Sequence, residues 1–179
     1  DEDLSYYQYT VYAKVTDANG ETHEEEICVT VGDRSLIFSS SIKDREIMDE
    51  FPAVKYRVMN LNGDGQSANV TYEIKNGETV VATGTVLSDA QNGFVIAEQT
   101  KKWKSGSYSV KLSAKDDKGR DVSQSYNVIL YREDDACPPV ETVLWQEKIT
   151  SVSLDYDEKY TVRIGSSLKN AHLLMIVDD

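Results

Sequence analysis

The chain has 179 residues, of which 40% are hydrophobic and 28% charged, with 11 Tyr, only 3 Pro and a net charge of −12. That composition describes a globular, β-leaning chain with room for one to two domains. The acidity excludes nucleic acid as a partner, because phosphates would be repelled before any specific contact formed, and no apolar run approaches the ~20 residues of a membrane helix.

The first recognisable stretch is Tyr9 to Val31, and the chain uses it twice. Tyr108 to Leu130 repeats it at a constant offset of 99 positions, with Tyr9 on Tyr108, Val11 on Val110, Asp17 on Asp116, Gly20 on Gly119 and Val29 on Val128. An offset near 100 is too long for a solenoid repeat and matches one small β-sandwich. Within each copy, apolar residues alternate with polar ones (Tyr9, Val11, Ala13, Val15, then Ile27, Val29, Val31), which places one set on a buried face and the other in water. Asn19-Gly20 and Lys118-Gly119 supply the positive-φ residue of a tight strand connection. Each copy is therefore predicted to be a β-hairpin.

Residues 1–33 are read as the closing hairpin of a first sandwich, ending in the joint Gly32-Asp33-Arg34-Ser35. Residues 34–132 are read as one complete sandwich. Its predicted strands are Leu36–Phe38, the alternation Val54, Tyr56, Val58, then Val70 to Ile74, Thr79 to Leu87 with Gly84 at a bulge, Gly93 to Glu98, Tyr108 to Lys115 and Val122 to Tyr131. Lys43 to Glu50 (KDREIMDE) is a weak helix candidate and is predicted as a charged loop or a single turn. Asn60 to Gly65 and Asn76-Gly77 are turns. The acidic, proline-containing run 133–142 is the linker, since its charge opposes burial and Pro138-Pro139 stiffen it. Residues 143–179 are read as opening strands of a third sandwich, at Val143–Trp145, Ile149–Leu154, Tyr160–Ile164 and His172–Val177. Lys55-Tyr56-Arg57-Val58 aligns with Lys159-Tyr160-Thr161-Val162 at an offset of 104, in support. The fold class is thus all-β: tandem immunoglobulin/fibronectin-like sandwiches, one complete and two partial.

Two half-sandwiches would leave open edges and uncovered apolar faces. The expected remedy is that Tyr9–Val31 pairs with Ile149–Val177, within one chain or as a strand-exchanged homo-oligomer. Neither an initiator Met, a signal peptide nor a lipid-attachment Cys opens the chain, so it is expected to belong to a longer protein, and location cannot be read from the missing signals.

Candidate chemistry is sparse. Cys28 lies on the outward register of its strand and Cys137 in the linker; both are expected to be free thiols, since two cysteines in different units make no disulfide scaffold. Asn60 to Gly65 resembles the front of a calcium loop, but Thr71 stands where the bidentate Glu belongs, so the segment reads as a plain turn. His23 sits among Glu21, Glu24, Glu25 and Glu26 as part of a solvated acidic patch, and His172 reads as a half-buried strand residue. No G-x-S-x-G, phosphate loop or His–Asp partner accompanies the serines. Lys101, Lys102 and Lys104 flank Trp103, which is expected to cap the core, and Asn69-Val70-Thr71 matches the glycosylation sequon. Tyr108, opening the penultimate strand, is expected to bond back across the corner of the sandwich. No catalytic residue, cofactor or metal site is assigned, and the chain reads as a non-enzyme.

The segments Tyr9 to Val31 (with Thr16 to Thr22), Val31 to Leu36, Asn60 to Gly63, Gly106 to Tyr131, Pro138-Pro139 and Tyr160 to Ser167 together resemble the macroglobulin-type β-sandwich domains of bacterial alpha-2-macroglobulin family proteins, especially the long Bacteroidetes versions. The resemblance implies a scaffold segment of an exported, cell-envelope protease trap, whose partners are neighbouring domains of the parent chain and, through the parent, proteases. The family's thioester requires a Cys followed closely by Glu-Gln. Cys28 is followed by Val29-Thr30 and Cys137 by Pro138-Pro139, so that chemistry does not carry over. The alternative is an immunoglobulin-like stalk or glycan-binding module of a surface protein.

Overall fold

The computed structural model describes residues 6–32, 35–148, 162–170, 172 and 174. An antiparallel hairpin, β1 (Tyr6–Thr16) and β2 (Thr22–Gly32), comes first. There follow β3 (Ile37–Ser40), β4 (Arg45–Ile47), β5 (Lys55–Met59), β6 (Ala68–Asn76), β7 (Thr79–Ser88), β8 (Phe94–Val95), β9 (Gly106–Lys115) and β10 (Asp121–Tyr131). A second two-stranded sheet, β11 (Trp145–Lys148) with β12 (Val162–Gly165), closes the described elements.

Strands β3 to β10 make an all-β, immunoglobulin-like sandwich. One sheet runs β4-β10-β9-β6-β7 and the other β3-β5-β8. The period-two patterning explains what lies between them. In β9, Tyr108, Val110, Leu112 and Ala114 are buried while Ser107, Lys111 and Lys115 face water. They meet Tyr56, Val58 and Phe94 of the smaller sheet in one core, with Val70, Ile74, Val128 and Leu130 filling it from β6 and β10. Aligned stacking of two such faces is the arrangement in which alternating strands bury one side each.

The segment 43–50 departs from the sequence expectation, since it contains β4. Arg45 to Ile47 pair in parallel with Ile129 to Tyr131. Hydrogen bonds from Ile129 N to Asp44 O (2.8 Å) and from Met48 N to Tyr131 O (2.7 Å) extend the ladder. The chain thus passes from the smaller sheet at β3 to the edge of the larger one at β4, covering β10 and removing an open edge. Charge misled here because the buried Glu46 is satisfied locally: its carboxylate accepts the Lys43 N–H at 2.9 Å. Gly84 also differs from expectation. The register slip of β7 lies opposite Ile74/Lys75, at Val81. Gly84 instead receives the ring of its cross-strand partner Tyr72, whose hydroxyl would sit 2.5 Å from an added Cβ. That hydroxyl donates to Glu98 Oε1 at 2.6 Å, and the bond, followed by burial, pushes the phenol up to about 12.

The two copies of the repeated stretch fold alike. Tyr9 pairs with Val29 and Tyr108 with Val128; Thr16 pairs with Thr22 and Lys115 with Asp121. Their turns match bond for bond. Asp17 Oδ1 accepts from the amides of Asn19 (2.9 Å) and Glu21 (2.8 Å), and Asp116 Oδ1 from those of Lys118 (3.0 Å) and Arg120 (2.8 Å). Gly20 and Gly119 take φ of 85° and 74°. This is the turn-plus-αL-glycine connection of a short hairpin, with the Asx side chain standing in for a backbone acceptor. What differs is cover: Tyr108 and Val110 are 1% and 0% exposed, whereas Tyr9 and Val11 are 56% and 51%.

Two side chains fasten the complete sandwich at its ends. The Tyr108 hydroxyl donates to Lys104 O at 2.5 Å, the corner bond anticipated from sequence, and its ring stacks on Trp103 at 5.4 Å. Asp116 is closed off by its own turn: burial alone would raise its carboxyl. The Arg120 amide and guanidinium and the Lys118 amide outweigh that, holding it at about 2.

Replacing Tyr108 with Phe should lower the stability of the sandwich by about 1 kcal/mol, the net worth of a buried hydrogen bond, read as a lower urea midpoint with unchanged slope. For Asp116 the folded pKa lies below the unfolded one, so the unfolded chain takes up a proton first as pH falls. Its contribution is complete above the ordinary value of 3.8 and is lost as pH falls through about 2. Asp116→Asn should therefore flatten the stability–pH profile in that window, checked by denaturant titrations at a series of acidic pH values.

Candidate functional site

The most constructed place outside the core is the joint where the chain leaves β10. Tyr131 ends that strand, and Arg132 then turns inward. Its guanidinium donates to the carbonyls of Thr100 (3.0 Å), Lys101 (3.2 Å) and Trp103 (3.3 Å) and pairs with Asp49 at 3.1 Å. The 3-10 turn Thr100–Lys102 ends with carbonyls facing this way, and a planar fork of N–H donors suits several carbonyl acceptors at once.

Beyond it, Trp145 is 3% exposed although it belongs to the separate β11–β12 sheet. Three groups bury it. The Arg45 guanidinium lies 4.2 Å from the indole centroid, and Arg45 also donates to Gln146 O at 3.3 Å. The Tyr131 ring meets the indole edge-on, with centroids 5.6 Å apart at 77°. Burial, followed by the nearby Glu147, Glu133 and Glu50, pushes the Tyr131 phenol up. The indole N–H donates to Glu147 Oε1, and Glu147 in turn lies 3.7 Å from Arg163 of β12. Gly165 allows Pro138 to approach: an added Cβ would sit 3.2 Å from the proline ring. Thr142 and Ser167 are fastened reciprocally. Ser167 Oγ accepts from Thr142 N at 2.8 Å and donates to Thr142 O at 2.7 Å, and Ser167 N donates to the same carbonyl at 3.0 Å. With Arg45 itself exposed, a guanidinium over an indole is worth roughly 0.5–1 kcal/mol. The linker is consequently a clamped connection, although its composition suggested a stiff tether.

At the opposite end, the described residues connect the β1–β2 hairpin to the sandwich through Thr30 N and Asn62 Oδ1, 3.3 Å apart. Nearby, Ser35 Oγ donates to Asp117 Oδ1 at 2.5 Å. An open groove of about 720 Å³ runs between, lined by Ser35, Asn60, Asn69, Lys115, Asp117 and Asp121 among others. Some of its polar groups are committed to one another or to nearby backbone. Lys115 pairs with Asp121 at 2.9 Å, and Asn60 Oδ1 accepts from the amides of Asn62 and Asp64 (2.9 Å each). Asn60 to Gly65 is accordingly a hairpin-type turn with Gly63 at φ 91°, its Asn oxygen turned onto backbone rather than outward.

The remaining residues singled out from sequence do not converge. His23 is exposed on the first hairpin, and Cys28 and Cys137 are exposed free thiols. His172 is exposed and outside any strand, contrary to the half-buried strand position expected. Of the strands expected in the last segment, Ile149–Leu154 lies outside the described residues, as do Tyr160, Thr161 and most of His172–Val177. Trp103 is half-buried against Tyr108 and Phe51, as a core cap should be, with Lys101, Lys102 and Lys104 exposed around it. Arg45 and the role of Trp145 were missed. The available signal was a tryptophan a few residues beyond a Pro-Pro linker, a costly side chain to leave in water. Among the described residues no helix is long and apolar enough to cross a membrane. Compared with known proteins, the chain matches no family model and no curated sequence.

Arg45→Ala should speed amide exchange in Trp145–Lys148 about two- to fivefold, corresponding to roughly 0.5–1 kcal/mol of lost clamp, while leaving exchange in β6 and β9 unchanged. Spin labels on either side of the joint should report a narrow distance distribution that broadens in Trp145→Ala.

Proposed function

We propose that this chain is a non-catalytic structural segment of a macroglobulin-like, protease-trapping protein of the bacterial cell envelope, and that it sets the angle between neighbouring β-sandwich domains. The clamp around Trp145 is the observation that carries the reading. A tryptophan from the following sheet is buried against the preceding sandwich by a cation and an aromatic edge, and Pro138 lies close to Gly165, the tryptophan's cross-strand partner, so the next element is held in one orientation. Recurrence of the same hairpin, in register and turn, supports a modular parent built from repeated sandwiches. The macroglobulin identity and envelope location come from the sequence resemblance.

In such a protein the segment contributes geometry. A protease-trapping array must convert a cut in one place into movement of whole domains, and that requires some joints that transmit rotation and others that yield. The Trp145 joint has the character of the former. The alternative, a glycan-binding surface stalk, would use Trp103 as a stacking platform; that ring is already stacked on Tyr108, and its carbonyl is taken by Arg132.

Binding of the chain to a panel of bacterial and host glycans separates the two readings. The scaffold reading expects no saturable binding that depends on Trp103. Binding abolished by Trp103→Ala, with an unchanged melting curve, would replace it with the glycan-binding reading.

A further inference from the structure

The two edges of the larger sheet are built differently. At one, β4 is only 3 residues long, carries Arg45 and Glu46, and has the Trp145 clamp beside it. Short length and charge are what keep a strand edge from pairing with another chain. At the other, β7 runs for 10 residues, Thr79–Ser88, without a charged residue or a proline. Among the described residues it pairs only with β6, so the backbone groups on its far side form an open ladder. The bulge at Val81 interrupts the start of the strand, and from Ala82 onward the register is regular. Ala82, Val86 and Ser88 lie on the core side, while Thr83, Thr85 and Leu87 are exposed on the other, Leu87 by 66%. This strand is internal to the complete sandwich. The elements before and after are joined elsewhere, the first hairpin through Asn62 and the β11–β12 sheet through Arg45 at the opposite edge.

We propose that β7 is an interface between two copies of this chain, whose Ala82–Ser88 segments pair antiparallel about a two-fold axis through Thr85 and join the two larger sheets into one. Opposed residues in an antiparallel pair share a face, so a two-fold axis must pass through a residue. For 82–88 that residue is the central one, Thr85. Thr85 then faces its own counterpart, Thr83 faces Leu87 and Gly84 faces Val86, giving the threonine and aliphatic cross-strand contacts that stabilise a sheet. The flanking acids do not oppose each other: Asp89 falls beside Val81, and Glu78 lies outside the overlap. In a chain of net charge −12, this edge lets two copies meet without facing carboxylates. A strand that complements itself needs no separately matched partner, which is what favours a second copy over another protein. The contact is isologous and closes at two copies, and it does not depend on the macroglobulin reading.

Light scattering on the whole chain across a concentration series tests this, with Thr85→Lys and Thr85→Glu as variants. Thr85 is exposed, so both variants should melt as the native chain does. The native mass should rise from one copy to two and stop there. In either variant alone, like charges face each other on the axis, and the concentration needed for half-pairing should rise at least about tenfold. An equal mixture of the two should pair at least as well as the native chain, because Lys then faces Glu. Concentrating the native chain should slow amide exchange in β7 and leave β9 unchanged. A one-copy mass for the native chain at every concentration would overturn the proposal. So would undiminished assembly in both variants, which would place the contact elsewhere, or a mixture that pairs no better than its components.

Discussion

A β-hairpin that is apolar on one face can persist in water only if something lies across that face. In the complete sandwich this requirement is met by β3-β5-β8 lying over β9–β10, and the rest of the architecture follows from it. The strands alternate because each must present one face to the core and the other to solvent. The chain changes sheets between β3 and β4 because the outer edge of β10 would otherwise be open. Tyr108 and Trp103 stack at the end of the same core, where its side chains would otherwise meet water.

The two hairpins of this protein make the same point by comparison. Their registers and turn hydrogen bonds agree, so local sequence is sufficient to specify the hairpin itself. Burial is not specified locally: a tyrosine that is 1% exposed in one copy is 56% exposed in the other. Even the turns are adapted to context. Arg120 pairs with the buried Asp116 in the second copy, at the position held by Glu21 in the first, where Asp17 is exposed.

The two ends of the sandwich also differ. At one, Trp145 is enclosed by Arg45, Tyr131 and the linker, with Arg132 bracing the turn beneath. At the other, the described contact is a long backbone-to-side-chain hydrogen bond between Thr30 and Asn62. Burial of an indole under a guanidinium and an aromatic edge resists rotation of the attached sheet, whereas an exposed hydrogen bond exchanges readily with water.

Taken alone, the sequence determined the all-β class, the strands of the sandwich other than β4, the repeated hairpin with its Asx–Gly turns and the corner role of Tyr108. Those features depend on period-two patterning and on residues that tolerate positive φ, and both operate over a few neighbouring positions. The tertiary structure decided what depends on distant partners. It made a strand of Arg45–Ile47, because β10 offered it a ladder and Glu46 found a backbone donor. It moved the bulge from Gly84 to Val81, because Tyr72 needed the space. It also turned a charged, proline-containing linker into a clamp, because Arg45 and Trp145, a hundred positions apart, meet only once the sandwich has closed.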